Sequence, residues 1–201
     1  MATEDLLVET TPADDPGSMR RKDPRFEARR LADGLYSLLV RGRLPTGWSG
    51  NLSLGLARSG VDIVWGYARR LDGGWEAELR LQPKAPHVNP LELDYLRLLR
   101  GRASDSDVPL VVTSYQVHPL PGALALEIRG VDCVGFLGSL LHRLAFLSLF
   151  PEEMSIETHA GEATDRFRLR SLAGREPSAE TVRALNQMLG DLARQAGRLR
   201  A

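Results

Sequence analysis

The sequence predicts an α+β chain of two tandem units, each a small antiparallel sheet with helices on one face. Three observations predict it. Short apolar runs of strand length, bounded by Gly, Pro, Asn and Asp, occur along most of the 201 residues. Between them lie segments whose apolar residues recur every three or four positions, the helical spacing. A strand–turn–helix passage then returns 88 residues later. With 43% hydrophobic residues the chain carries enough apolar material to bury a core.

Residues 1–34 precede the regular pattern. They alternate acidic, proline-bearing and basic stretches ("ADDPG", then "RRKDPRFEARR") with few apolar residues, which predicts a mobile charged tail. "LYSLLVRG", from Leu35, reads as a strand. After "RLPTG", Trp48, Leu52 and Leu56 recur every four residues and give a helix one apolar face; Gly60 is placed to close it. "VDIVWGYARR" and "WEAELRLQ" read as strands joined by "LDGG", whose glycines permit a tight hairpin. "NPLELDYLRLLRG" predicts a second helix, with Leu91, Tyr95, Leu98 and Leu99 on one side. "VPLVVTSYQVHP" predicts a fourth strand, and Pro119 and Pro121 mark a linker. The expected order is βαββαβ over residues 35–119.

The order restarts over residues 120–201. Between 40–57 and 128–145, seven of eighteen positions are identical, among them Gly42/Gly130, Gly47/Gly135, Gly50/Gly138, Leu52/Leu140 and Leu56/Leu144. "MSIETHAG" and "TDRFRLRS" supply two more strands. "SAETVRALNQMLGDLARQAGRL" predicts a closing helix with Ser178 as its cap and Val182, Leu185, Met188, Leu189 and Leu192 as its stripe. Nothing after that helix reads as a fourth strand, so the second sheet is expected to keep an open edge. Two βαββαβ units of this kind make the ferredoxin-like arrangement.

The second copy also resembles a known family. "LEIRGVDCVGFLGSLLHRLAFL", followed by "MSIETHAGEATDRFRL", resembles the ACT domain: a strand, an Asp, two residues, a Gly, a hydrophobic helix, then a strand carrying Thr and an Asp-x-Phe strand. The matching positions are Asp132, Gly135, Phe136, Leu137, Thr158, Asp165 and Phe167. Val134 stands where that family commonly has proline, and the first copy has Leu44 at the Asp position. The resemblance implies tandem ACT-like units in a regulatory module that senses an amino acid, as in stand-alone double-ACT regulators and the ACT pair of uridylyltransferases.

Gly47 and Gly135 each stand where a strand turns into a helix. Either the corner leaves no room for a Cβ, or backbone N–H groups at the helix start hold a ligand carboxylate. On the second reading the candidate ligand residues are Asp132, for the ammonium, with Val134, Gly135, Phe136, Leu137 and Thr158. In the first copy they are Gly47, Trp48, Ser49 and Asn51. Trp48 falls on the apolar helix face, and Trp65 and Trp75 read as packing on the sheet. Cys133 precedes a helix start, a place that can lower a thiol pKa, although an inert small residue is the simpler reading. It is the single cysteine, so no intrachain disulfide forms.

Enzyme chemistry is not indicated. "GNLSLGLA" copies phosphate-loop spacing but has Leu56-Ala57 where Lys and Ser/Thr are required. His87, His118, His142 and His159 are scattered, so no catalytic residues, metal or cofactor are expected. The 26 basic and 26 acidic residues balance, which argues against a dedicated nucleic-acid binder. No long apolar span or signal-peptide pattern is visible, so a cytoplasmic protein without membrane partners is expected. The sequence thus points to a non-catalytic regulatory module holding a small ligand, an amino acid, between units. Homo-oligomerisation and a regulated enzyme or transcription factor as partner are expected with it. The alternative is a ligand-free scaffold that dimerises or docks onto a protein.

Overall fold

The computed structural model describes residues 23–101 and 108–199, and shows an α+β fold: one eight-stranded antiparallel sheet and four α-helices. Strands β1 (Arg25–Arg30), β2 (Tyr36–Gly42), β3 (Val61–Leu71) and β4 (Gly74–Pro83) precede β5 (Val112–Leu120), β6 (Ala123–Val131), β7 (Leu149–His159) and β8 (Glu162–Ser171). Helices α1 (Trp48–Arg58), α2 (Tyr95–Arg100), α3 (Phe136–Phe146) and α4 (Ala179–Leu199) complete the chain. The sheet order is β1-β2-β4-β3-β7-β8-β6-β5. The element order is therefore ββαββα, twice.

This differs from the expected βαββαβ order at two places. "RFEARR", assigned to the charged tail, forms β1 and pairs along all six residues with β2, Phe26 facing Val40 and Ala28 facing Leu38. The strand predicted to close the first unit is β5, which pairs with β6 and not with β2. It fills the edge the second unit was expected to leave open. Hairpin closure explains the choice: Pro121-Gly122, with Gly122 at φ +68°, links Leu120 to Ala123 in two residues. The remainder of the expected tail, residues 1–22, lies outside the described residues.

The second predicted helix is also shorter than 89–101. Leu93 is extended, at φ −75° and ψ 136°, and splits it into a 3₁₀ turn at Pro90–Glu92 and α2. Asn89 and Asp94 each cap their own piece, Asp94 Oδ1 accepting from Arg97 N at 2.9 Å. Leu91, placed on the predicted stripe, is exposed.

Repetition extends into backbone detail. Left-handed corners recur at the 88-residue spacing: Gly34 and Gly122, Gly47 and Gly135, Gly60 and Ser148, Gly73 and Gly161. The β-bulge between Ile63 and Trp65 returns between Pro151 and Glu153. Gly50 and Gly138 let α1 and α3 cross closely: a Cβ on Gly138 would stand 2.8 Å from the Leu54 side chain, and one on Gly50 3.4 Å from Leu141 Cβ.

One continuous core lies between helices and sheet. It joins Leu38, Val40, Leu79 and Leu81 of the first half to Leu126, Ile128, Phe167 and Leu169 of the second. The closing helix covers β5 with Leu185, Leu189 and Leu192, and Ser178 Oγ accepts from Thr181 N at 3.1 Å, the predicted cap. The other sheet face carries charged ladders such as Arg41–Glu76–Arg69 and Arg129–Glu127–Arg166. No helix among the described residues is long and apolar enough to cross a membrane.

Candidate functional site

The two halves meet along β3 and β7, which pair only from Trp65–Glu157 to Arg69–Glu153. Beyond each end of that short ladder the strands are joined to other partners, which leaves a fork. Into each fork points the strand-to-helix corner of one half, so both candidate corners lie at the seam between halves.

At one fork the Gly135 corner and α3 meet β3. Gly135 takes φ +93° and ψ 0° with no side-chain cap on the helix. The cavity here measures about 20 Å³, room for about one water. Of the predicted residues it is lined by Asp132, Gly135, Phe136, Leu137 and Thr158; Val134 lies outside the lining. Val108 and Ala57 pack over the corner, 3.2 and 3.5 Å from where a Gly135 Cβ would stand. Two buried acids that sequence reasoning did not place here complete it, Asp62 from β3 and Asp165 from β8. Asp62 pairs with Lys84 Nζ at 2.8 Å and accepts from Ile63 N at 3.0 Å. Asp165 is 1% exposed and neither carboxylate oxygen has a hydrogen-bond partner.

Electrostatics follow from that burial. Desolvation, then the Asp132 charge, push the Asp165 carboxyl up to about 8. Asp132 is raised chiefly by burial and next by Asp62; Lys84 and a hydrogen bond from Thr158 oppose the rise. Cys133 is raised as well, by burial and then by Asp132, so the helix start does not make it a reactive thiolate.

At the other fork the Gly47 corner and α1 meet β7. The cavity is about 200 Å³, lined by Gly47, Trp48 and Ser49 together with Leu44, Arg70, Trp75, Phe150, Glu152 and Arg170. Trp48 and Trp75 form an edge-to-face pair with centroids 5.3 Å apart. Glu152 Oε2 meets Arg170 Nε at 2.9 Å, and Glu152 Oε1 meets Arg70 Nη1 at 3.8 Å. Gly47 is left-handed at φ +78°, and no side chain caps α1. Trp48 N donates to Pro45 O at 3.1 Å, while helix geometry leaves the Ser49 and Gly50 amides without an intrahelical acceptor. Asn51 lines an adjoining hollow with Ser49, His142 and Phe150, and its Nδ2 donates to Leu99 O at 3.3 Å, tying α1 to α2.

The forks are related by the 88-residue spacing yet carry opposite charge. Asp132, Asp62, Asp165 and Thr158 have as counterparts Leu44, Phe150, Ala77 and Arg70. Sequence reasoning missed Asp62, Lys84, Asp165, Arg70, Glu152 and Arg170 as site residues. The signal that could have found several of them is this divergence between copies at equivalent positions. Among the described residues no group of three or more His, Cys, Asp or Glu side chains is placed to hold a metal ion. Compared with known families, with curated proteins and with solved structures, the chain matches none.

Proposed function

We propose that the chain is a non-catalytic regulatory module that holds a small zwitterionic ligand, an amino acid, in the Gly47 fork. One observation carries the reading: the fork of about 200 Å³ brings opposite charges from both halves around indole and phenyl walls. A ligand carboxylate finds the free amides at the start of α1 and the Arg70 guanidinium. A ligand ammonium finds Glu152, and Trp48, Trp75 and Phe150 border the side chain. The acidic fork has room for about one water and offers no such space.

The finer fold reading belongs with this proposal. In each half the strand–helix–hairpin segment, β2-α1-β3-β4 or β6-α3-β7-β8, follows the ferredoxin-like path. The place of the last strand is taken by the strand before it in sequence, β1 or β5. Each half is then a permuted ferredoxin-like unit, which keeps the ACT-like reading compatible with the ββαββα order.

Because the ligand would touch both halves, its binding stiffens the seam. It shifts a partner's state only as far as its affinity differs between open and closed forks. Thermal-shift and calorimetric titration of the whole protein with the twenty amino acids tests the proposal. At least one is expected to raise the melting temperature, with the response lost in Arg70→Ala and Glu152→Gln and kept in Asp132→Asn. No response from any of the twenty in folded protein overturns it.

A further inference from the structure

The acidic fork needs its own account. Asp165 projects from a strand whose paired neighbours on the same face are Ile128 and Ile156, both buried. The scaffold does not require an acid there, because its counterpart in the first half is the equally buried Ala77. Nor does it require the other two, since Leu44 and Phe150 stand where Asp132 and Asp62 stand. Three acids have thus been gathered in a space for about one water, at one end of the seam alone. Among the described residues, the titratable groups that line the cavity with Asp165 are Asp62 from β3 and Asp132 and Cys133 from the corner before α3; β7 contributes Thr158, and Lys84, just beyond β4, reaches Asp62. Lys84 is engaged by Asp62. Among the described residues, no hydrogen-bond partner reaches either Asp165 oxygen.

We propose that the Asp165–Asp132 fork is a proton-operated latch on the seam between the two halves. With Asp165 neutral, the carboxyl sits among isoleucines at small cost and the fork stays shut. When Asp165 gives its proton to solvent, an anion with no donor and two neighbouring carboxylates cannot stay dry. The cavity cannot supply enough water as it stands, so the fork opens. It opens here because the β3–β7 ladder ends at Trp65–Glu157, and beyond that pair no backbone pairing joins the two strands. The latch works whether or not the other fork takes a ligand.

The test uses the whole protein, Asp165→Ala and Asp165→Asn. Infrared difference spectra in neutral buffer should show the band of a buried protonated carboxylic acid in the wild type and not in either variant. Hydrogen exchange, corrected for intrinsic rate, should rise about tenfold for the peptides spanning 61–64 and 132–137 between about pH 6 and pH 9 in the wild type alone. Equal pH dependence in wild type and Asp165→Asn overturns the latch. So does absence of the carboxylic acid band, which needs no variant to fold. Recovery of protection at high pH on adding ammonium, sodium or magnesium salts at fixed ionic strength also overturns it, in favour of a cation site.

Discussion

Tyr67 of β3 lies directly opposite Ser155 of β7, and the two positions are separated by the same 88 residues that separate Gly47 from Gly135. Equivalent points of the two halves therefore face each other, as at a twofold axis. That relation turns one duplicated corner into two forks at opposite ends of a short ladder. Divergence of a few residues then gives the ends different chemistry, Arg70 and Glu152 at one and three aspartates at the other.

Tyr67 also ties the seam on its solvent face. Its hydroxyl donates to Glu153 Oε1 at 2.8 Å, and that carboxylate raises the phenol pKa. Removing a partly solvated hydrogen bond costs about 0.5–1 kcal/mol. Tyr67→Phe is expected to lower the unfolding free energy by that amount, read as a lower urea midpoint with the slope unchanged. A loss several times larger would mean that the hydroxyl has a further role at the seam.

The helix crossing gives a sharper contrast. An alanine methyl at 138 would meet Leu54 side-chain carbons at 2.8 Å and its backbone nitrogen at 2.9 Å, whereas one at 197 meets nothing within 4 Å. Gly138→Ala is expected to cost about 1–3 kcal/mol from overpacking. Gly197→Ala is expected to be neutral or to gain up to about 1 kcal/mol through helix propensity. Urea unfolding of the two variants side by side checks both, and the crossing argument fails if 138 tolerates the methyl as well as 197.

How much of this was legible follows a physical line. Helices α1 and α3, their glycine corners and the β3–β4 hairpin are set by local spacing and turn chemistry, and the sequence reading recovers them. Strand partners are not local. The alternation in β5 suits an edge beside β2 as well as one beside β6, and only the Pro121-Gly122 closure decides. In β1, Phe26 and Ala28 are the only apolar residues among four charges, so half an edge strand resembles a tail. The candidate sites divide in the same way. Asp132 through Leu137 come together because they are one corner, while Asp62, Lys84 and Asp165 reach it from other strands and from beyond β4. Glu152 and Arg170 reach the Gly47 corner from the opposite half.

Stability against pH should have two arms of opposite sign. Asp165 is pushed up to about 8, above the ordinary carboxyl value of about 3.9. Its contribution is therefore full below that ordinary value and is lost as pH rises towards the folded value. Glu76 and Glu127 are held below the ordinary range by Arg69 with Arg41 and by Arg166 with Arg129. Their contributions are full at neutral pH and are lost on acidification through the depressed values, and solvent exposure keeps them small. Urea midpoints measured from about pH 3 to pH 9 should fall as pH rises from about 4 to about 8 in the wild type and be flatter over that range in Asp165→Asn. The double variant Glu76→Gln with Glu127→Gln should trim only the acid side.

Lys84 is the last control on the acidic fork. Its ammonium meets Asp62 at 2.8 Å; the lysine side chain is 40% exposed and the aspartate side chain 7%. Lys84→Met leaves a buried carboxylate with one backbone donor, and partial access of water at the lysine end limits the cost to about 1–3 kcal/mol. Asp62→Asn with Lys84→Met removes both charges and should recover part of that loss, a positive coupling in a double-mutant cycle. Charge balance in the fork adds a second readout. Without the ammonium, Asp132 faces more uncompensated negative charge and its folded pKa rises further, so the fall in stability with rising pH should extend to higher pH in Lys84→Met. If the pair coupled in the cycle but that fall did not extend, Lys84 would serve Asp62 alone and lie outside the electrostatics of the latch.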